Sequence, residues 1–160
     1  MRKLTFVLAL GPSAALALAI VATGASAGPV EEANKATVRA FYEMAFRDHQ
    51  PTKAAQTYIG DRYIQHNPRV PNGVGAFYGF FEKYFKDNPS ASSTIKRMVA
   101  EGDLVVLHVH AKTNPDDRGR AIVDVFRVEN GKIVEHWDVI QDVPERSANG
   151  NTMFDGQNAN

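Results

Sequence analysis

The chain has 160 residues, 44% hydrophobic and 22% charged, with 18 basic against 18 acidic side chains and no cysteine. This balance suits a globular domain held by its core alone, and it excludes a disulfide scaffold and a lipoprotein anchor. No basic run or aromatic-interleaved patch is present, so nucleic acid is not an expected partner.

Residues 1–27 open with Arg2 and Lys3, continue as a charge-free apolar run from Leu4, and end in Ala25-Ser26-Ala27. This is the pattern of a secretory signal peptide cut after Ala27. An uncleaved membrane anchor is the rival reading, because about 20 apolar residues can span a bilayer. Gly11-Pro12 and the Ala-x-Ala ending favour cleavage. The expected product is a bacterial periplasmic or secreted protein with no stable membrane anchor. Without Arg2 and Lys3, the charge balance of the mature chain becomes 16 to 18.

The mature chain reads as helices first and strands later, with residues 28–144 as the domain. In "EEANKATVRAFYEMAFRD", Val38, Phe41, Tyr42, Ala45 and Phe46 recur at helical spacing, with Glu31 and Glu32 suited to the N-terminus. "QPTKAAQTYIG" predicts a short second helix with Pro51 in its first turn and Gly60 past its end. "DRYIQHNP" is too short for a helix and stops at a proline, and leaves room for a strand near Tyr63. "VPNGVGAFYGFFEKYFKDNP" predicts a third helix with Phe77, Phe80, Phe81, Tyr84 and Phe85 on one face, either filling core or roofing a cavity.

From residue 94 the period changes to that of strands. "STIKRMVAEGDLVVLHVHAKT" is broken by Glu101-Gly102-Asp103, and "RAIVDVFRVENGKIVEHWDVIQD" by Glu129-Asn130-Gly131. Three helices followed by a meander of about four strands predict an α+β domain with helices on one side of an antiparallel sheet. Residues 145–160 form a polar, glycine-bearing tail expected to be loosely ordered.

A three-residue bulged loop at Glu129-Asn130-Gly131 would set Val128 opposite Lys132 and Asp124 opposite His136. Ile122, Asp124 and Phe126 then share a face with Val134, His136, Asp138 and Ile140. A two-residue turn would instead send Asp138 to the other face. Because buried carboxylates need partners or water, the face with Asp124, His136 and Asp138 is read as a pocket wall. The opposite face carries Val123, Val125, Ile133, Trp137 and Val139, an apolar surface that predicts a homodimer. His108 and His110 alternate on one strand, and pairing could bring His108 near Asp124. His-x-His on one strand invites a metal site completed by His66, His136 or Asp138, but two alternating histidines are a weak signal and no metal is assigned.

"RYIQHNPRVPNGVGAFYGFF", "VVLHVHAK" and "VDVFRVENGKIVEHWDVIQ" together resemble the SnoaL-like branch of the nuclear transport factor 2-like superfamily, over most of residues 31–143. The resemblance implies a cone-shaped α+β fold in which a curved sheet wraps around helices and encloses a pocket, and frequent dimers through the outer sheet face. It also implies intramolecular aldol chemistry by acid–base side chains without a cofactor. The catalytic Asp of those cyclases follows the hairpin Trp and corresponds to Asp138. A second pocket residue, a His in the cyclases, corresponds to Asp124, so the charge of this site differs.

An aldol step needs a base beside the acidic C–H and a donor for the developing oxyanion. Asp138, Asp124 and His66 are the candidate catalytic residues. Tyr63, Asn67, His108, His136, Phe77, Phe81 and Phe126 are the candidate substrate-binding residues. The expected ligand is a small apolar carbonyl compound. A non-catalytic pocket that holds a hydrophobic ligand is the alternative from a different class.

Overall fold

A computed structural model describes residues 28–155 of the chain; the expected signal peptide therefore lies outside the described residues. Helix α1 (Pro29–Tyr42) starts on a proline at its first turn, with Glu31 and Glu32 beside its positive end. It runs into a π-helical turn, Glu43–Arg47, closed by the Asp48 N–H to the Glu43 carbonyl at 3.0 Å. The wider turn brings Phe46 back over Tyr42, with ring centroids 4.4 Å apart. Helix α2 (Pro51–Tyr58) leads directly into strand β1 (Ile59–Gln65), and α3 (Val74–Asp87) follows.

The remaining strands are β2 (Ser92–Glu101), β3 (Leu104–Lys112), β4 (Arg120–Glu129) and β5 (Lys132–Asp142). The sheet order is β1-β5-β4-β3-β2, with β1 parallel to β5 and every other pair antiparallel. This is the expected α+β architecture, with the possible strand near Tyr63 realised as the edge strand β1. The core lies between the helices and the inner sheet face. Phe41, Leu107, Ile133, Val38, Val105 and Val109 are fully buried there, and each such side chain contributes about 1.5–3 kcal/mol.

The β4–β5 hairpin corrects the expected register. Asn130 (φ 51°) and Gly131 (φ 73°) both take left-handed backbone, so the loop is a two-residue turn closed by Glu129 opposite Lys132. One pair later a bulge shifts the register between Arg127 and Val128. The extra residue restores the parity that a two-residue turn alone would have reversed. Phe126 is therefore opposite His136, and Asp124 is opposite Asp138 rather than His136. The expected face still carries Asp124, His136 and Asp138. Ile133, expected on the outer face, is fully buried in the core cluster because it adjoins the bulge.

Phe80 is 56% exposed and outside the core that holds Phe77, but it lines the cavity, which is the roofing alternative for this helix face. At the far end of the described tail, Phe154 and Asp155 dock on the sheet. Phe154 is buried against the outer face of β3, stacked at 4.0 Å on His110, and its carbonyl accepts from Arg97 Nη2 at 2.6 Å. Lys96 adds an ion pair to Asp155 at 3.0 Å.

Candidate active site

The pocket is a cavity of about 380 Å³ between α1, the π-helical turn, α3 and the inner sheet face. Its wall is a ladder of cross-strand pairs along β4 and β5: Phe126 with His136, Asp124 with Asp138, then Ile122 with Ile140. Phe41, Phe46, Phe77 and Phe81 close the other side. The alternation of β4 and β5 puts two carboxylates and an imidazole in an otherwise aromatic and aliphatic enclosure.

Asp124 and His136 are both buried, and His136 Nε2 lies 3.0 Å from Asp124 Oδ1. His136 Nδ1 lies 2.9 Å from Gln65 Oε1, which also accepts the Asn67 backbone N–H at 2.9 Å. Both ring nitrogens thus face oxygens, and which of them donates follows the tautomer. Asn67 Nδ2 donates to both oxygens of Asp138, at 3.0 and 2.7 Å, and positions that carboxylate in the cavity. Asp124 Oδ2 is buried without a partner in good hydrogen-bond geometry, and the Tyr42 phenol is the donor that interacts with this carboxylate.

Two phenols complete the polar end. Burial, then the charge of Asp124, pushes Tyr42 well above the ordinary phenol value, and the same two causes raise Tyr63. Both keep their protons and can donate. A phenol whose folded pKa exceeds its unfolded value of about 10 gives stability that is whole below pH 10 and is lost as pH rises further. Melting curves between pH 8 and pH 11 should fall steeply at the alkaline end, and less steeply in Tyr42→Phe/Tyr63→Phe. Equal slopes would count against this pair as the alkaline limit.

The strand geometry corrects two expected site residues. Gln65 pairs with His136 across β1 and β5, so Tyr63, Gln65 and Asn67 turn inward and His66 turns out. His66 stacks parallel on Trp137 at 4.7 Å, and its Nε2 meets Glu135 Oε1 at 2.8 Å. It does not reach the cavity. His108 is opposite Val123, so Leu107 rather than His108 faces Asp124. His108 instead accepts from Arg97 Nη1 at 3.0 Å and stacks near Phe154 on the outer face. His108 and His110 are therefore across the sheet from His136 and Asp138. Asp124, Asp138, Tyr63, Asn67, His136, Phe77, Phe81 and Phe126 all line the cavity as expected.

Gln65 and Tyr42 were missed. Strict alternation from Tyr63 would have found Gln65. Tyr42 carried only the signal of a hydroxyl on a buried helix face. Asp124, His136 and Asp138 offer one ligand atom each within 4.8 Å of one another. Two carboxylates and an imidazole suit a divalent cation. Here His136 Nε2 is engaged with Asp124 Oδ1, and Asp138 with Asn67.

A curved sheet wrapped on three helices around a pocket with acid–base side chains defines the nuclear transport factor 2-like class of α+β domains. Within it, the chain belongs to the SnoaL-like polyketide cyclase family, whose model matches residues 36–147. No curated protein matches it. Among solved structures, a protein from Jannaschia sp. described as a SnoaL-like polyketide cyclase aligns with TM-score 0.62 and 17% identity, over 74% of this chain and 92% of that one. A nuclear transport factor 2-like protein of unknown function from Mesorhizobium loti gives TM-score 0.60 at 20% identity, over 72% and 97%. A protein from Kribbella flavida described as a ketosteroid isomerase gives TM-score 0.59 at 16% identity, over 73% and 84%. At these identities the likeness is one of fold.

Proposed function

We propose that the protein is an exported, cofactor-independent acid–base enzyme acting on a small carbonyl compound, by aldol-type cyclisation, isomerisation or dehydration. The observation that carries this reading is the Asp138 carboxylate held beside the buried Asp124–His136 pair at the end of an apolar cavity. In the aldol case, Asp138 takes the proton next to the substrate carbonyl, and Tyr63 or Tyr42 donates to the enolate oxygen. The enolate carbon then bonds to a second carbonyl carbon, and the resulting alkoxide recovers the proton from Asp138. The apolar walls keep water from quenching the enolate. Family membership and the neighbours described as a cyclase and an isomerase support the reaction class.

The test is a screen of small carbonyl compounds for ligand-induced stabilisation and turnover, followed by substitution at Asp138. Stabilisation without turnover by any compound would favour a hydrophobic ligand carrier in the same pocket.

Export and assembly belong to the same proposal. Protein recovered from the periplasm should have the intact mass of a chain beginning at Gly28. Retention of residues 1–27 on a membrane-bound product would defeat it. A homodimer is proposed through the outer sheet face, where Val99, Val123 and Val139 are 62%, 40% and 71% exposed. Sedimentation at micromolar concentration should return twice the monomer mass, and Val123→Glu/Val139→Glu should return the monomer. A wild-type monomer would defeat the dimer.

A further inference from the structure

The cavity ladder does not end in apolar residues. One step beyond Ile122 and Ile140 on the same face of β4 comes Arg120, which lines the cavity and also a shallow depression outside it. Arg120 therefore sits at the rim. Four residues separate it from Asp124 along the strand, or about 13 Å at the usual rise. Arg69, in the loop after β1, lines the cavity as well.

Among the described residues neither guanidinium has a hydrogen-bond or ion-pair partner. The acids near Arg120 form no ion pair with it. Asp142, opposite it on β5, lines the outer depression rather than the cavity. Asp117 accepts the Thr113 and Gly119 backbone N–H groups at 2.9 and 2.8 Å. Its carboxyl is held below the usual range by those bonds first, and by the charge of Arg120 only last. The third rim cation, Lys112, donates to the Pro115 carbonyl. Gly119 (φ 82°) lets the chain before Arg120 pack against the end of β3, since a Cβ there would fall 2.3 Å from the Ala111 carbonyl.

The cavity thus has a carboxylate-and-phenol end, an apolar middle and a rim with two guanidiniums outside any ion pair. We propose that its substrate is an apolar carbonyl compound that also carries a carboxylate. The carbonyl sits at Asp138 and the two phenols, and the carboxylate at Arg120 with Arg69 flanking it. This rests on the acid–base reading of the site and narrows it. The order of the ladder is the reason for the polarity. A carboxylate at the Asp124–Asp138 end would meet two like charges, whereas at the rim it meets the planar fork that binds carboxylates in two places. The acid–base end then acts only on compounds held in one direction.

The probes are γ-benzoylbutyric acid and its methyl ester, which share the aryl ketone and differ in the charge. Calorimetric titration of the full-length mature protein should give the acid about tenfold or more tighter binding than the ester, and the preference should shrink as salt is raised. Arg120→Met should bring the acid down to the affinity of the ester, and Arg120→Lys should restore part of the difference. Should Arg120→Met fold poorly, Arg120→Gln and the salt dependence of the wild type carry the same comparison. Equal binding of acid and ester by the wild type, or a preference that survives in Arg120→Met, overturns the proposal. It leaves the acid–base reading intact, because turnover of a neutral carbonyl compound needs no rim cation. If neither compound binds, the proposal falls, and the acid–base reading is then judged on other carbonyl compounds alone.

Discussion

Asp138→Asn is expected to lower turnover by about a hundred- to ten-thousand-fold, the range for losing a positioned acid–base group. The substitution keeps the side-chain shape, and one amide oxygen remains to accept from Asn67 Nδ2, which now bonds both carboxylate oxygens. Fold and ligand affinity should therefore stay within about tenfold of wild type, so the loss falls in kcat and not in KM. The amide cannot take a proton, and that is the only property removed. Asn67→Ala should show a smaller loss, because it frees the carboxylate to rotate without removing it. A cation held by Asp124, His136 and Asp138 would behave differently: elemental analysis would find metal in the wild type and not in Asp138→Asn. A turned-over substrate whose rate survives Asp138→Asn would remove Asp138 from the mechanism.

How much of this site was legible depends on which residues alternation could reach. The pocket face of β4 and β5 was readable because apolar residues at Ile122, Phe126 and Ile140 frame the two aspartates with period two. The face was right although the loop was wrong. A two-residue Asn-Gly turn and a separate bulge have the same parity as one bulged three-residue loop, and sequence spacing does not distinguish them. His66 illustrates the opposite case. Its neighbours Gln65 and Asn67 both face the cavity, and a histidine draws attention that its position on the strand does not justify. The same holds for His108, which is one residue out of phase with Leu107 opposite Asp124. The docking of Phe154 on β3 was not legible at all. It depends on a long-range contact by one aromatic in a polar tail, with no period to announce it.

Phe41→Ala should cost about 3–5 kcal/mol, the range for truncating a fully buried phenylalanine. Phe41 has no exposed surface, and its ring lies 5.4 Å from Phe77, 5.9 Å from Phe126 and 6.3 Å from Phe46. It joins α1 to α3 and to the sheet, so no neighbour can collapse into its place without moving an element. Set against a total stability of about 5–15 kcal/mol, this is a large fraction. Phe80→Ala is the control. Its ring, on α3, is half exposed, and its truncation should cost less than about 1 kcal/mol. Urea midpoints read both, provided the slope of the transition is unchanged. Phe41 also lines the pocket, so its removal opens the cavity by the volume of a ring instead of leaving a sealed void. A small aromatic compound that fills this gap should therefore recover part of the lost stability through mass action, and should stabilise the variant more than the wild type. A loss below about 1 kcal/mol, or no gain on adding benzene, would show that the aromatic wall is not the joint between helices and sheet.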